Sequence, residues 1–460
     1  MHMKKFLFTL AVAAAMVAAC TMNIDSADDM TPAEDQGLGF GAYLNRGVTT
    51  KAGNTGELTT DVLKGRNVGF GVLAYYTGED LYNDSCKPDF MYNEKVTWDD
   101  RNGVWTYSPI KYWPNQHGST ASSEARDRLT FFAYAPYVAV QPSTGAVTTA
   151  QDMGITALSR NNAAGNPMVR YVASFNPSQC VDLCWGVSKN GLTASVDGNN
   201  NHVVKGYPYI DVLKLKTGDK IEFDFHHALS ALNVKIDAVI DAETPGTATN
   251  PGKDLDAATH IYVRSVTFEG LTTKGSLILN SNAIQGPEWI DYLGMDHLSV
   301  APVTVYDGRR NGKEGIEGSV ATDETPTGLN PVLVQSKPYS AQDVTDGVTT
   351  TPVNLFNGNA DATVYVIPNG EPLRITISYD VETKDDKLAA FLSDGETYGS
   401  SVPNNITKTV TIDGRDLVMK AGLKYVINLH LGMTSVKFDA TVTDWGDGKT
   451  ANVDLPQNVQ

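Results

Sequence analysis

The chain has 460 residues and a formal net charge of −17; it is 41% hydrophobic and only 19% charged. That balance can build large cores and excludes a disordered chain, while 41 glycines and 21 prolines announce many turns. A surface this acidic repels phosphate backbones and anionic headgroups, which excludes nucleic acid as a partner.

Residues 1–19 read as a signal peptide. Lys4 and Lys5 precede an apolar run from Phe6 to Ala15 that is too short to span a bilayer. Val17-Ala18-Ala19-Cys20 matches a bacterial lipobox, so Cys20 is expected to be acylated, with a lipid anchor and an extracytoplasmic chain beyond it. Three cysteines remain, Cys86, Cys180 and Cys184. Cys180 and Cys184 are four positions apart in a segment that reads as extended, too far for a disulfide, and no metal-ligand spacing accompanies them. They read as small buried apolar residues.

Thr21 to Gln36 is a polar, acidic tether. Leu38, Phe40, Ala42 and Leu44 then alternate with Gly37, Gly39, Gly41 and Tyr43, the period of a strand with one apolar face. Asn45 to Gly53 reads as an exposed loop with two trypsin-like sites, after Arg46 and after Lys51. Val68, Phe70, Val72 and Ala74 share a face of the next strand. Phe90–Trp98, Trp105–Trp113 and Leu129–Tyr137 follow, with a hairpin turn at Asn102-Gly103. Asn161–Asn166 and Gly198–Asn201 read as loops, and Asp385–Leu392 is the best helical run, a weak one.

A second set begins near Ile221. Phe223 and Phe225 share one parity and Leu232, Val234 and Ile236 the other, so a bulge or a crossing between sheets is expected across His226–Ser230. Ile261–Leu271, Thr363–Ile367, Leu373–Val381, Lys408–Ile412, Tyr425–Leu431 and Val436–Val442 complete the strands. Short strands with Gly, Pro and Asn turns and no helical crossovers imply an all-β protein of two antiparallel sandwiches. Divided near residue 215, these span residues 47–215 and 216–460.

No phosphate loop, nucleophile elbow or His-Glu-x-x-His is present, so no catalytic residue, metal or cofactor is expected. His226 and His227 are adjacent on a strand, point to opposite faces and suit a core or bulge role. Trp98, Trp105, Tyr107, Tyr112 and Trp113 could stack on sugars, although strands also bury aromatics for packing alone. Asp99-Asp100, Asp444 and Asp447 read as turns rather than calcium ligands, and Asn405-Ile406-Thr407 is a glycosylation sequon by pattern.

Several segments taken in order resemble the fimbrillins of Bacteroidales, the subunits of type V pili. They are the lipobox, Val68–Tyr75, Trp105–Pro114, Leu129–Pro136, Phe223–Ser230 and Leu431–Val436 with Val442–Trp445. Asp182-Leu183-Cys184-Trp185 stands where such chains often carry an Asp-Leu-Leu-Trp-like run, which supports Cys184 as a core residue. The resemblance implies two transthyretin-like sandwiches, a lipoprotein of the outer membrane exported to the cell surface, and a fimbrial role without catalysis. It also implies maturation by an Arg- or Lys-specific protease, here at Arg46 or alternatively Lys51. That cut releases residues 20–46, including the strand of Leu38, Phe40, Ala42 and Leu44. The groove left behind is filled by the C-terminal strand of another pilin subunit, the same or different. On this chain the donor is either Val436, Phe438, Ala440 and Val442 or the tail with Val453 and Leu455. The alternative is a non-polymerising surface lipoprotein or tip adhesin that binds glycans or host ligands.

Overall fold

The computed structural model describes residues 37–44, 56–117, 126–149, 152–192, 203–216, 218–238, 259–294, 301–307, 332–334, 353–356, 362–385, 387–388, 399–412, 414–431, 436–444 and 450–451. By its contacts the chain divides into Met1–Gly37 and Leu38–Gln460. Every described helix and strand belongs to the second unit.

In chain order the elements are β1 (Phe40–Leu44), α1 (Thr60–Leu63), β2 (Phe70–Gly78), β3 (Met91–Asp99), β4 (Val104–Thr106), β5 (Arg128–Ala135), β6 (Gly154–Leu158), β7 (Met168–Val172), β8 (Cys184–Ser188), β9 (Tyr209–Val212), β10 (Ile221–His227), β11 (Ser230–Ala238), β12 (Thr259–Glu269) and β13 (Leu271–Thr272). There follow β14 (Lys274–Ile278), β15 (Glu288–Ile290), β16 (Val303–Asp307), β17 (Val332–Val334), β18 (Val353–Asn354), β19 (Val364–Pro368), β20 (Arg374–Lys384), β21 (Gly399–Thr409), β22 (Thr411–Ile412), β23 (Arg415–Asp416), β24 (Leu423–Leu431), β25 (Val436–Asp444) and β26 (Thr450–Ala451). The protein is all-β, as its alternating pattern requires. Asp385–Leu392 falls largely outside the described residues, and 385, 387 and 388 are not helical.

The first sheet runs β1-β10-β8-β5-β2-β3-β4, with β9 on β5. A second runs β13-β19-β11-β24-β25-β26, with β18 on β11; a third runs β16-β12-β20-β21, with β17 on β12; a fourth runs β15-β14-β7-β6. Two pairings correct the antiparallel expectation: β1 lies parallel to β10 and β11 parallel to β24. Both join segments far apart in sequence, and a long excursion can return the chain in the same direction where a hairpin cannot.

β2 and β5 are buried on both faces. Phe70, Val72, Phe131 and Ala133 enter one core with β1, whereas Leu73, Tyr75, Phe132 and Tyr134 enter a second, larger core shared with the later sheets. The period of two sends neighbours along one strand into different cores. The parity switch after Phe225 is a crossing: β10 ends in the first sheet and β11 starts in the second. Ala228 at the corner donates its N–H to the Leu183 carbonyl at 2.8 Å.

Strand pairing also runs across residue 215. β10 pairs with β8, and β14 pairs with β7. Two strands differ from expectation in extent. The Trp105–Trp113 run is strand only at Val104–Thr106; Pro109 and Pro114 cannot donate to a ladder, and Tyr107 and Trp113 turn inward instead. β21 begins at Gly399 rather than near Lys408, and it pairs with β20 over eleven positions. Its Ser, Asn and Pro residues carry no apolar stripe, so backbone pairing makes the strand where side-chain pattern does not.

Candidate assembly groove

β1 pairs with β10 in the register Phe40↔Ile221, Ala42↔Phe223 and Leu44↔Phe225. It lies at one end of the first sheet's strand order, so a sheet neighbour covers only one of its backbone edges. Leu38, Phe40 and Leu44 are buried to 7%, 2% and 1% exposure, and Ala42 is half-buried against the same core. Phe40 meets Tyr107 at 5.3 Å, Phe131 at 6.2 Å and Phe223 at 6.2 Å between ring centroids. Behind it Phe70 packs on Phe223 at 6.0 Å and on Phe225 at 5.3 Å. Gly186 of β8 admits the Phe223 ring, since a Cβ there would stand 2.9 Å from its Cδ1. Three such side chains contribute roughly 5–9 kcal/mol by burial.

Both ends of β1 are tied. Leu38 donates its N–H to the Lys111 carbonyl at 2.8 Å and accepts from the Tyr107 hydroxyl at 2.9 Å. The Leu44 N–H donates to Thr60 Oγ1 at 2.9 Å, and that hydroxyl donates back to the Leu44 carbonyl.

Cys20, Arg46, Lys51, Val453, Leu455 and Asp447 lie outside the described residues. After Leu44 the next described residue is Gly56, whose N–H donates to the Cys180 carbonyl at 2.8 Å. The Leu58 N–H donates to Asp182 Oδ2, also at 2.8 Å. Thr59 caps α1 by accepting the Val62 N–H at 3.2 Å.

Asp182 belongs to a buried cluster that sequence reading missed. His227 Nδ1 lies 2.8 Å from Asp182 Oδ2 and 3.5 Å from Cys184 Sγ. All three residues are buried, and their donor atoms lie within 4.8 Å of one another. The His227↔Cys184 register between β10 and β8 brings them together, and no spacing in the chain encodes that pairing. Cys184 is therefore not simply an apolar core residue. Burial, and then the Asp182 carboxylate, push its thiol well above the usual range, so it stays protonated. Cys86, Cys180 and Cys184 are all free thiols.

The candidate donor stretches differ. β25 pairs with β24 at nine positions from Leu423↔Asp444 to Leu431↔Val436. Ala440 is buried there and Val442 half-buried, with Val436 and Phe438 in the same strand. β26 pairs with β25 at only two positions.

A cavity of about 220 Å³ opens at the seam between β1 and β4. Trp98 and Trp105 line it, 5.4 Å apart between centroids. The other aromatics singled out lie elsewhere: Tyr107 and Trp113 are in the core, and Tyr112 is exposed.

No protein-family model matches the chain. It is 26% identical over 473 aligned positions, the whole of both chains, to the fimbrium subunit Fim1C of Phocaeicola vulgatus. A solved fimbrial protein of Bacteroides vulgatus superposes with a TM-score of 0.51 at 20% identity, covering 89% of this chain and 99% of that one. The chain is thus a full-length relative of a fimbrium subunit, with a fold similar to that of a Bacteroides fimbrial protein.

Proposed function

We propose that this protein is a structural subunit of a cell-surface fimbria, exported as a lipoprotein acylated at Cys20 and assembled by strand exchange. The first strand leaves after a cut at Arg46, with Lys51 as the alternative, and a C-terminal strand of another subunit takes its place. The observation that carries this reading is β1 itself. It is a sheet-end strand that plugs an aromatic groove, and Arg46 stands two positions after its last buried residue, Leu44, in the sequence. Once it is gone, β10 has an open edge beside exposed Phe131, Phe223 and Phe225, which an added strand satisfies.

The donor is assigned to the tail with Val453 and Leu455 rather than to Val436–Val442. β25 is committed along its length to β24, and withdrawing it would open the second sheet. The partners are other copies or related subunits, a processing protease and the outer membrane through the lipid. The role is structural rather than catalytic.

Limited trypsin digestion tests the reading, followed by electron microscopy and by gels of boiled and unboiled samples. Wild type should give an SDS-resistant ladder and filaments, and Arg46→Ala with Lys51→Ala should stay a folded monomer. Protease-dependent polymers from the double variant would remove the mechanism.

A further inference from the structure

The seam cavity differs in charge from the chain as a whole, which is acidic. Phe40, Gly41 and Ala42 of β1 line it together with Trp98 and Trp105. Its charged lining consists of Lys64, Lys189, Lys220 and Glu222. Three ammonium groups against one carboxylate form a local reversal of sign in a chain of net charge −17. The carboxylate is already engaged, since Glu222 Oε2 accepts from Asn190 Nδ2 at 2.7 Å.

The lysines are held in place. Lys64 Nζ stands 4.2 Å over the Trp98 ring and Lys189 Nζ 5.1 Å over Tyr43. The Lys220 stem lies along Gly39, where an added Cβ would approach its Cγ to 3.1 Å. The glycine alternation of β1 therefore also clears the outer face on which these side chains lie. Both indoles are half-buried, with Trp105 braced on Phe70 at 5.2 Å.

We propose that this cavity binds an acidic sugar, a single carboxylate-bearing pyranose at the end or within a glycan. Indole faces are electron-rich and match the C–H face of a pyranose; the Lys64 ammonium already stands over Trp98, so Trp105 is the platform and the ammonium groups match the carboxylate. A concave site of one sign focuses the field and favours an anion. At about 220 Å³ the space is below the roughly 300–1,000 Å³ of sites for drug-sized ligands, which suits one ring. The assignment goes beyond the assembly reading and does not depend on it. Phe40, Gly41 and Ala42 of β1 are part of the lining, so the site is complete only while β1 is in place, and binding is measured on the uncut monomer.

Isothermal titration calorimetry on the uncut full chain tests it with 3′-sialyllactose and a hyaluronan tetrasaccharide. Lactose serves as the neutral probe and hexaglutamate as an acidic peptide. At least one acidic sugar should bind saturably, and which one distinguishes a sialic acid from a uronic acid. Lactose should bind about tenfold more weakly or less, and Lys189→Gln with Lys220→Gln should weaken the acidic sugar by a similar factor. These lysines lie outside the cores, so that variant should fold normally by circular dichroism; Trp105→Ala provides a second, independent loss. Three results overturn the proposal: no saturable heat with either acidic sugar, equal affinity for lactose or hexaglutamate, or unchanged affinity in the lysine variant.

Discussion

The two stretches on either side of Arg46 and Lys51 in the chain are held differently. Before them, Leu38–Leu44 is held mainly by burial: Phe40 and its two leucines fill a groove from one end of a sheet. After them, Gly56–Leu63 buries Leu58 and Leu63 in the same core but is fixed in addition by buried polar contacts, to the Cys180 carbonyl and to Asp182, which is itself locked to His227. Burial of a strand is reversible by substitution, because any strand with the same apolar spacing fills the same groove. A buried hydrogen-bond network is specific to its own partners. On the proposed assembly route a cut between the two would free the first and leave the second in place, and Thr60 to Leu44 is a direct tie across the divide.

The largest effect is expected on the polar side. Asp182→Ala removes the acceptor of the Leu58 N–H and the partner of His227, and should cost about 3–5 kcal/mol by urea unfolding. The loss should be equal in uncut and cut protein, because the network does not involve β1. On the apolar side, Phe40→Ala should cost about 3–5 kcal/mol in the uncut chain and nothing once β1 has been cut and removed. An equal cost in both forms would show that the cut strand never leaves, and the contrast between the two stretches would fail.

Thr60→Val addresses the tie. It removes both hydrogen bonds to Leu44 with little change of shape and should cost about 1–2 kcal/mol. It should also speed the release of β1 after cutting, followed by gel filtration over time. Thr59→Ala, the cap of a four-residue helix, should cost about 1 kcal/mol and leave the release rate unchanged. A Thr59 effect on release as large as that of Thr60 would mean that the two stretches are held as one.

Much of this was legible because strands announce themselves. Leu38, Phe40 and Leu44 alternate with Gly39, Gly41 and Tyr43 and are buried together, and the parity change between Phe225 and Leu232 marks a real crossing between sheets. β21 was only partly legible, since Ser400, Asn404 and Asn405 have no apolar period and its order comes from β20 alongside. The seam cavity was half legible. Trp98 and Trp105 stood out as aromatics, but Lys64, Lys189 and Lys220 come from three distant segments and look like ordinary surface charges when read singly.

Local alternation and turn residues were enough to make the chain all-β and to mark its first strand as one whose face must be covered. Those properties depend on neighbours along the chain, and a one-dimensional pattern carries them. Which strand lies beside which, and in what direction, came from tertiary structure. The parallel pairing of β1 with β10 and of β11 with β24 joins residues far apart, where loop closure and core shape decide and no local period does. The Asp182–Cys184–His227 cluster has the same origin: the first two are near in sequence, but only the β8–β10 register delivers the histidine.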